Sequence, residues 1–215
     1  MVTHVTNGGV AMLTKEVVAR KMVNAAAALR AQTGLFGEID SRFGDGDHGF
    51  TMGKIADLID LHVAGWGDES FSGFFSKIGF AITEVRGGSA GPLYGTMIGG
   101  MGECLTQTQT TISAATLKSM FASSLSEMRG ITTAKVGDKT MMDALIPAVE
   151  AAQAAPDDVD AILAAVSEAA LSGAKASENF VSKFGRARSY KEQTIGTPDA
   201  GAVSVAVFLS AFAKG

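Results

Sequence analysis

Sulfur chemistry is nearly absent from this chain: one residue of 215, Cys104, is a cysteine, so no disulfide can form within it. That agrees with a reducing, cytoplasmic setting, and Cys104 is expected as a small apolar residue in the interior. Proline is scarce as well, with four in all and no proline-rich linker. No shift in composition divides the sequence, so a single domain is expected over residues 14–215, behind an N-terminal extension at 1–13. No basic stretch followed by an apolar run opens the chain, so no secretion signal is expected. The longest apolar run, residues 200–213, is broken by Ser204 and Ser210 and is short for a bilayer, so a membrane is not an expected partner. Clusters of one charge are missing too. The formal net charge is −4 and Lys and Arg are scattered, which leaves no footprint for nucleic acid.

What is present is a compact, apolar composition, 47% hydrophobic and 19% charged. The periodicity is helical: Val18, Met22, Ala25, Ala26 and Leu29 recur at spacings of three and four, behind a capping Thr14. Further helices are expected at 49–62, 69–86, 91–105, 113–129, 139–154, 157–183 and 199–213, giving an all-α chain of about eight amphipathic helices. Start signals are Ser113, Asp138, Pro156 with Asp157, and Thr197 with Pro198. The β-branched stretch 203–208 has no hairpin partner nearby and is read as buried helix. Glycine is abundant, 26 residues gathered chiefly over 44–53 and 87–102, and such clusters mark turns or backbone brought close to a ligand.

The segment Asp40-Ser-Arg-Phe-Gly-Asp-Gly-Asp-His-Gly49 sets three carboxylates within eight positions. Their mutual repulsion calls for a cation, and oxygen ligands without cysteine suit a hard ion such as magnesium, which keeps sites for phosphate. An acidic solvated turn is the plainer alternative. Gly44, Gly46 and Gly49 fit a dinucleotide-binding glycine string by spacing, but no strand precedes them and two aspartates intervene. A Walker loop fails because Ile55 follows Lys54, and an EF-hand fails because Ala56 stands where a bidentate Glu is needed.

The loop Gly87-Gly-Ser-Ala-Gly-Pro-Leu-Tyr-Gly95 leads into a helix, whose free N–H groups can take phosphate oxygens or simply close a helix–helix turn. In Gly137-Asp-Lys-Thr-Met141, Asp138 is expected as a cap and Lys139 as a candidate phosphate partner. Arg186 and Arg188 offer guanidinium groups to phosphate or to surface ion pairs. His48, next to the carboxylates, could bind metal or phosphate, while Met141 and Phe50 are core residues by default.

Taken in order, Gly44-Asp-Gly-Asp-His-Gly49, Gly91-Pro-Leu-Tyr-Gly95, Gly137-Asp-Lys-Thr-Met141, Gly185-Arg-Ala187 and Ile195-Gly-Thr-Pro-Asp-Ala-Gly-Ala202 resemble the L subunit or L domain of dihydroxyacetone kinases. The resemblance runs from about residue 14 to the end. It implies an all-helical barrel of antiparallel helices with ADP or ATP at one end, and two Mg2+ ions held by Asp40, Asp45 and Asp47. It places His48, Gly49, Phe50 and Thr51 along the nucleotide, Ser89 and Ala90 at the phosphate loop, Met141 near adenine, Arg186 near the phosphates, and Asp199, Ala200 and Gly201 at the rim. Two departures stand out. Ser89-Ala90 inverts the family's Ala-Ser order, and Arg188 is inserted before Ser189-Tyr190.

Phosphoryl transfer needs in-line positioning and charge neutralisation more than a protein nucleophile. The resemblance therefore implies a glycerone-kinase-type phosphotransferase subunit that delivers phosphate to a short-chain ketose held on a separate K subunit. It also implies a phosphotransferase-system subunit as an alternative source of phosphate to ATP, and allows a homodimer. The rival reading is a nucleotide-sensing interaction protein that uses the same site without turnover.

Overall fold

The computed structural model of the chain describes residues 5–7 and 10–215. Nine α-helices lie among them: α1 Lys15–Ala31, α2 Thr33–Ser41, α3 His48–Ala64, α4 Phe71–Thr83, α5 Ala90–Gly100, α6 Ala114–Ile131, α7 Met142–Ala154, α8 Val159–Ala176 and α9 Ala200–Lys214. Two short strands, β1 Val5–Asn7 and β2 Val10–Met12, pair antiparallel before α1. The expected extension over 1–13 falls partly on residues 1–4 and 8–9, outside the described residues.

Apolar stripes decide how the helices pack. On α1 the buried face is Val17, Val18, Met22, Ala25, Ala26 and Leu29, the periodic set read from the sequence with Val17 added. Residues 203–208, rich in β-branched side chains, are helical because α9 buries Val205, Ala206, Phe208 and Leu209 at helical spacing. Each helix packs on the next in the ring α1, α3, α4, α5, α6, α7, α8, α9 and back to α1, which closes an eight-helix barrel. The starts of α3, α5, α7 and α9 gather at one end with the last turns of α2 and α6, so helix directions alternate around the ring. Lys21 helps to close it. Its buried ammonium donates to the carbonyls of Phe212, Ala213 and Gly215, the last turn of α9.

α2 stands outside the ring, packed on α3 and α9, and is absent from the helices expected of the sequence. Gly34 and Gly37 hide its helical signal, and its one fully buried large residue is Phe36. Asp40 therefore sits in the last turn of a helix rather than in a loop. A second correction concerns α5. Gly95, Gly99 and Gly100 lie inside that helix, where Gly95 and Gly99 let it press against Gly79 of α4, so they serve helix packing and not a turn. Cys104, expected inside, lies exposed on the turn after α5.

Among the start signals, Thr14 caps α1 and Ser113 caps α6. Asp158 rather than Asp157 caps α8, and Asp199 caps α9 two residues beyond the expected Thr197. Asp138 caps nothing. Its carboxylate accepts from Lys135 N–H and takes the Lys183 ammonium at 2.6 Å, while Asp143 accepts the Gly137 and Thr140 N–H groups at the start of α7. Burial pushes the Asp138 carboxyl up, but Lys183 and the Lys135 N–H outweigh it and hold it below its ordinary value.

Candidate functional site

At the end where α3, α5, α7 and α9 begin, a cleft of about 560 Å³ opens, within the size range of small-molecule sites. Its acidic wall comes from the turn between α2 and α3. Gly44 lies so close to the Asp40 carboxylate that a Cβ there would overlap it, and Gly46 takes a left-handed φ of 75° that turns Asp45 and Asp47 back toward Asp40. One oxygen from each aspartate falls within 4.8 Å of the others. Burial first, and then the charges of Asp45 and Asp40, push the Asp47 carboxyl above its ordinary value. Asp40 Oδ2 is buried with no hydrogen-bond partner. A buried carboxylate oxygen without a donor, in a cluster of like charge, is what a bound hard cation would satisfy.

The only ion pair to this cluster among the described residues is Arg186 with Asp45. Arg186 opens the 3₁₀ segment Arg186–Thr194, kinked at Lys191, whose first residues Arg186 and Ala187 line the cleft after Gly185 at positive φ, and Tyr190 of that segment rests against Phe43 with ring centroids 5.2 Å apart. Arg188 is exposed and holds no ion pair among the described residues. On the opposite side Gly87 and Gly88, both at positive φ, fold the α4–α5 loop over Thr51 and toward Asp47.

Helix starts at the cleft differ: α9 is capped by Asp199, the first N–H of α7, that of Met142, donates to Thr140 Oγ1, and α3 and α5 begin there with no side-chain cap. The first N–H groups of α3 and α5 thus keep unfilled donor capacity at the cleft. Much of the remaining lining is apolar, with Phe43, Leu93, Ile131, Ala134, Met142 and Phe184 joining Met141. The cleft thus combines an acidic cluster with apolar surface.

Of the residues singled out from the sequence, Asp40, Asp45, Asp47, His48, Ser89, Ala90, Met141, Arg186, Asp199, Ala200 and Gly201 all line this cleft. Gly49, Phe50 and Thr51 do not. The first turn of α3 carries them away: Gly49 packs on the Thr33 carbonyl, Phe50 is 70% exposed with the Lys54 ammonium 4.3 Å from its ring centroid, and Thr51 is buried beneath Gly87. Lys139 reaches the lining, but its ammonium is held by the carbonyls of Ser177 and Thr197 at 2.6 and 2.5 Å, which makes it a brace for two loops rather than a free phosphate partner. His48 turns its Nε2 inward to Ser204 Oγ at 2.9 Å, and burial pushes its imidazole below the ordinary value.

Asp199 both caps α9, accepting from Ala202 N–H at 2.8 Å, and faces the cleft. Burial raises its carboxyl to about 7. Because the folded value exceeds the unfolded one, this group favours folding when protonated and opposes it increasingly as pH rises from about 4 through 7. Asn keeps the capping oxygen and removes the charge. Asp199→Asn is thus expected to match the wild type at pH 4 and to exceed it by on the order of 2 kcal/mol at pH 8 in metal-free protein, as read from urea unfolding at both pH values. An equal difference at both would contradict this assignment.

A closed helical barrel whose one end opens on a cleft with a three-carboxylate cluster and apolar lining residues defines a helical-barrel protein with a small-molecule site and a candidate cation site. The family is specific: the DAK2 domain model matches residues 42–214, and the chain belongs to that family. It is 32% identical over 199 residues to a D-erythrulose kinase of Mycolicibacterium smegmatis, covering 89% of this chain and 34% of that protein. To the ADP-binding subunit DhaL of the PEP-dependent dihydroxyacetone kinase of Escherichia coli it is 29% identical over 170 residues, 78% of this chain and 80% of the subunit. The fold matches the crystal structure of the C. freundii dihydroxyacetone kinase in complex with AMP-PNP and Mg2+, with a TM-score of 0.69 and 25% identity over 100% of this chain and 37% of that one. The chain thus spans about a third of the two kinases and most of the separate subunit.

Proposed function

We propose that this chain is the nucleotide-binding, phosphoryl-transferring subunit of a kinase for dihydroxyacetone or a related short-chain ketose. The observation that carries the reading is the unpartnered Asp40 oxygen inside a three-aspartate cluster, in a cleft that also has apolar lining residues. A dihydroxyacetone kinase that contains a barrel of the same fold is described as complexed with AMP-PNP and Mg2+, and a relative of similar length is named an ADP-binding subunit. In this reading Asp40, Asp45 and Asp47 hold two Mg2+ ions against the phosphates of ADP or ATP. Bound magnesium would neutralise the phosphates' charge.

The chain's own groups do the rest. The starts of α3 and α5 direct N–H donors at phosphate oxygens, with Ser89 and Ala90 at the loop, and Met141 beside the base. Arg186 would leave Asp45 for a phosphate oxygen once magnesium takes the carboxylate, since a guanidinium pairs with phosphate as it does with carboxylate. No group in the cleft is placed as a nucleophile, consistent with direct transfer to an acceptor presented from outside. That acceptor is a ketose on a separate K subunit, and the donor is exchangeable ATP or ADP recharged in place by a phosphotransferase-system subunit. The working compartment is the cytoplasm, where such donors occur, and no helix among the described residues is long and apolar enough to cross a membrane.

The test is reconstitution. Purified chain mixed with dihydroxyacetone and Mg-ATP is expected to show no product, and addition of a K subunit, with ATP or with a charged phosphotransferase donor, is expected to give dihydroxyacetone phosphate. Product formed by the chain alone would overturn the division of labour, and tight Mg-ADP binding with no turnover under any pairing would favour the nucleotide sensor.

A further inference from the structure

Ser204 faces away from the cleft, is completely buried, and carries three hydrogen bonds on one hydroxyl. It donates to the Gly201 carbonyl at 3.0 Å, one turn back along α9. The Tyr94 phenol donates to its oxygen at 2.8 Å, and His48 Nε2 lies 2.9 Å from it, the direction of that bond following the imidazole tautomer, while the His48 ring also hydrogen-bonds the backbone at Ala200. Tyr94 is 1% exposed and Ser204 is its hydrogen-bond partner.

The three groups belong to three walls of the site. His48 is the first residue of α3, directly after Asp47. Tyr94 lies one turn into α5, whose opening residues Ser89 and Ala90 face the cleft. Gly201 is in the first turn of α9, beside Asp199 and Ala200 at the rim. Other buried hydrogen bonds between ring helices, Lys21 to the end of α9, Ser124 to the Met97 carbonyl and Ser167 to Ser210, each join two helices, whereas the Ser204 hydroxyl meets groups of three and has no free position with which to follow a slide. Ser204 does not itself line the cleft, so it acts on a ligand only through the groups it holds.

We infer that Ser204 is a positioning residue for the nucleotide: its hydroxyl pins the His48 ring and the Gly201 carbonyl to Tyr94. That fixes the starts of α3, α5 and α9 at the spacing in which the aspartates and the Asp199–Gly201 rim face one ligand. This rests on the magnesium–nucleotide reading above.

A control comes from the same helix. Ser210, 7% exposed, takes a hydrogen bond from Ser167 at 2.9 Å far from the cleft, so Ser210→Ala removes a buried hydroxyl bond of the same kind with no link to the site. Ser204→Ala, Ser204→Cys and Ser210→Ala are compared by melting temperature, by calorimetric titration with ADP at fixed Mg2+, and by the imidazole nitrogen resonances of His48 in ligand-free protein. All three are expected to melt lower than wild type. Only the two Ser204 variants are expected to raise the ADP dissociation constant, by about tenfold, and to move the His48 nitrogen signals. Ser204→Cys, close to serine in volume, supplies the reading should the alanine variant not fold. Affinities within about twofold of wild type, with a loss of melting temperature like that of Ser210→Ala, overturn the proposal. Should the wild type itself take up no Mg-ADP, the nucleotide reading fails separately, and unshifted His48 signals in the Ser204 variants would overturn the link to His48 as well.

Discussion

Asn at position 47 is expected to raise the melting temperature of the metal-free protein by about 2 °C while weakening magnesium-dependent ADP binding by about 100-fold or more. The two effects have one origin. Asp47 stands in a cluster whose carboxylate oxygens lie within 4.8 Å of one another, and burial and the neighbouring charges both oppose its ionisation. Two unit charges at that separation repel by roughly 3 kcal/mol at an effective dielectric constant near 20, an upper figure because the site opens to water and Arg186 offsets part of it. A neutral amide removes the repulsion and leaves the turn intact, so the empty protein gains. The amide also withdraws a charged ligand from magnesium, so the loaded protein loses more than the empty one gains. Asp45→Asn separates the two effects, because Asp45 already has Arg186 as a partner: its magnesium-dependent affinity should fall similarly with no gain in melting temperature. Thermal melts with and without Mg2+, together with ADP titrations, read both numbers. An Asp47→Asn protein that binds Mg-ADP within threefold of wild type would remove the aspartate cluster from the site.

How much of the molecule is legible in its sequence follows from which physical signals are local. The three aspartates read as a cation site because charge repulsion within eight residues needs no tertiary information. The barrel helices are readable because their apolar stripes repeat at helical spacing, and even the β-branched stretch at 203–208 comes out as helix on that ground. What fails is non-local. α2 escapes notice because Gly34 and Gly37 dilute its pattern, and its existence depends on docking across α3 and α9. Asp138 reads as a cap from its position, yet the backbone N–H groups there find Asp143 instead, and Lys183 draws Asp138 elsewhere across 45 residues of sequence.

Within the site, the family pattern places Gly49, Phe50 and Thr51 along the ligand. Helical rotation directly after Asp47 turns the Phe50 and Thr51 side chains away from the cleft, which follows from the 100° step per residue once the helix start is fixed and leaves the backbone N–H groups at the start of α3 as the part of this segment that can meet a ligand. The apolar wall of Phe43, Ile131 and Phe184 carries no sequence signal, since an isolated hydrophobic residue in a loop reads as ordinary packing. The same holds for Ser204, whose role exists only where three helices meet.

A large effect on stability is expected at Gly79, and it decides between two opposite tendencies of glycine in a helix. Replacing a mid-helix glycine by alanine ordinarily stabilises by up to ~1 kcal/mol, because it removes backbone freedom from the unfolded chain. Gly34, in α2 with nothing within 4 Å of the point where a methyl group would stand, should follow that rule. Gly79 should reverse it. A Cβ there would stand 2.5 Å from Gly99 Cα and 2.9 Å from both Gly99 N and Gly95 O, all of them backbone atoms of α5 that no rotamer change can move. Carbon atoms make their best contact near 3.5–4.0 Å, so the two helices would have to separate by about 1 Å. Overpacking on that scale costs roughly 1–3 kcal/mol or more and outweighs the propensity gain. Gly79→Ala is therefore expected to lower the melting temperature by about 4–8 °C, the range that ~2 kcal/mol gives for a chain of this size. Gly79→Leu is expected to yield no folded protein, because the added atoms have only the α5 backbone to enter. Trp66, stacked 3.8 Å from Phe74 of α4, provides the fluorescence signal for the measurement. Since α4 and α5 together aim the Gly87–Ala90 loop at the aspartates, the surviving alanine variant should also bind Mg-ADP more weakly. A Gly79→Ala protein as stable as wild type would mean that the α4–α5 contact is looser than these distances require and that the glycines of α5 serve the ligand rather than the barrel.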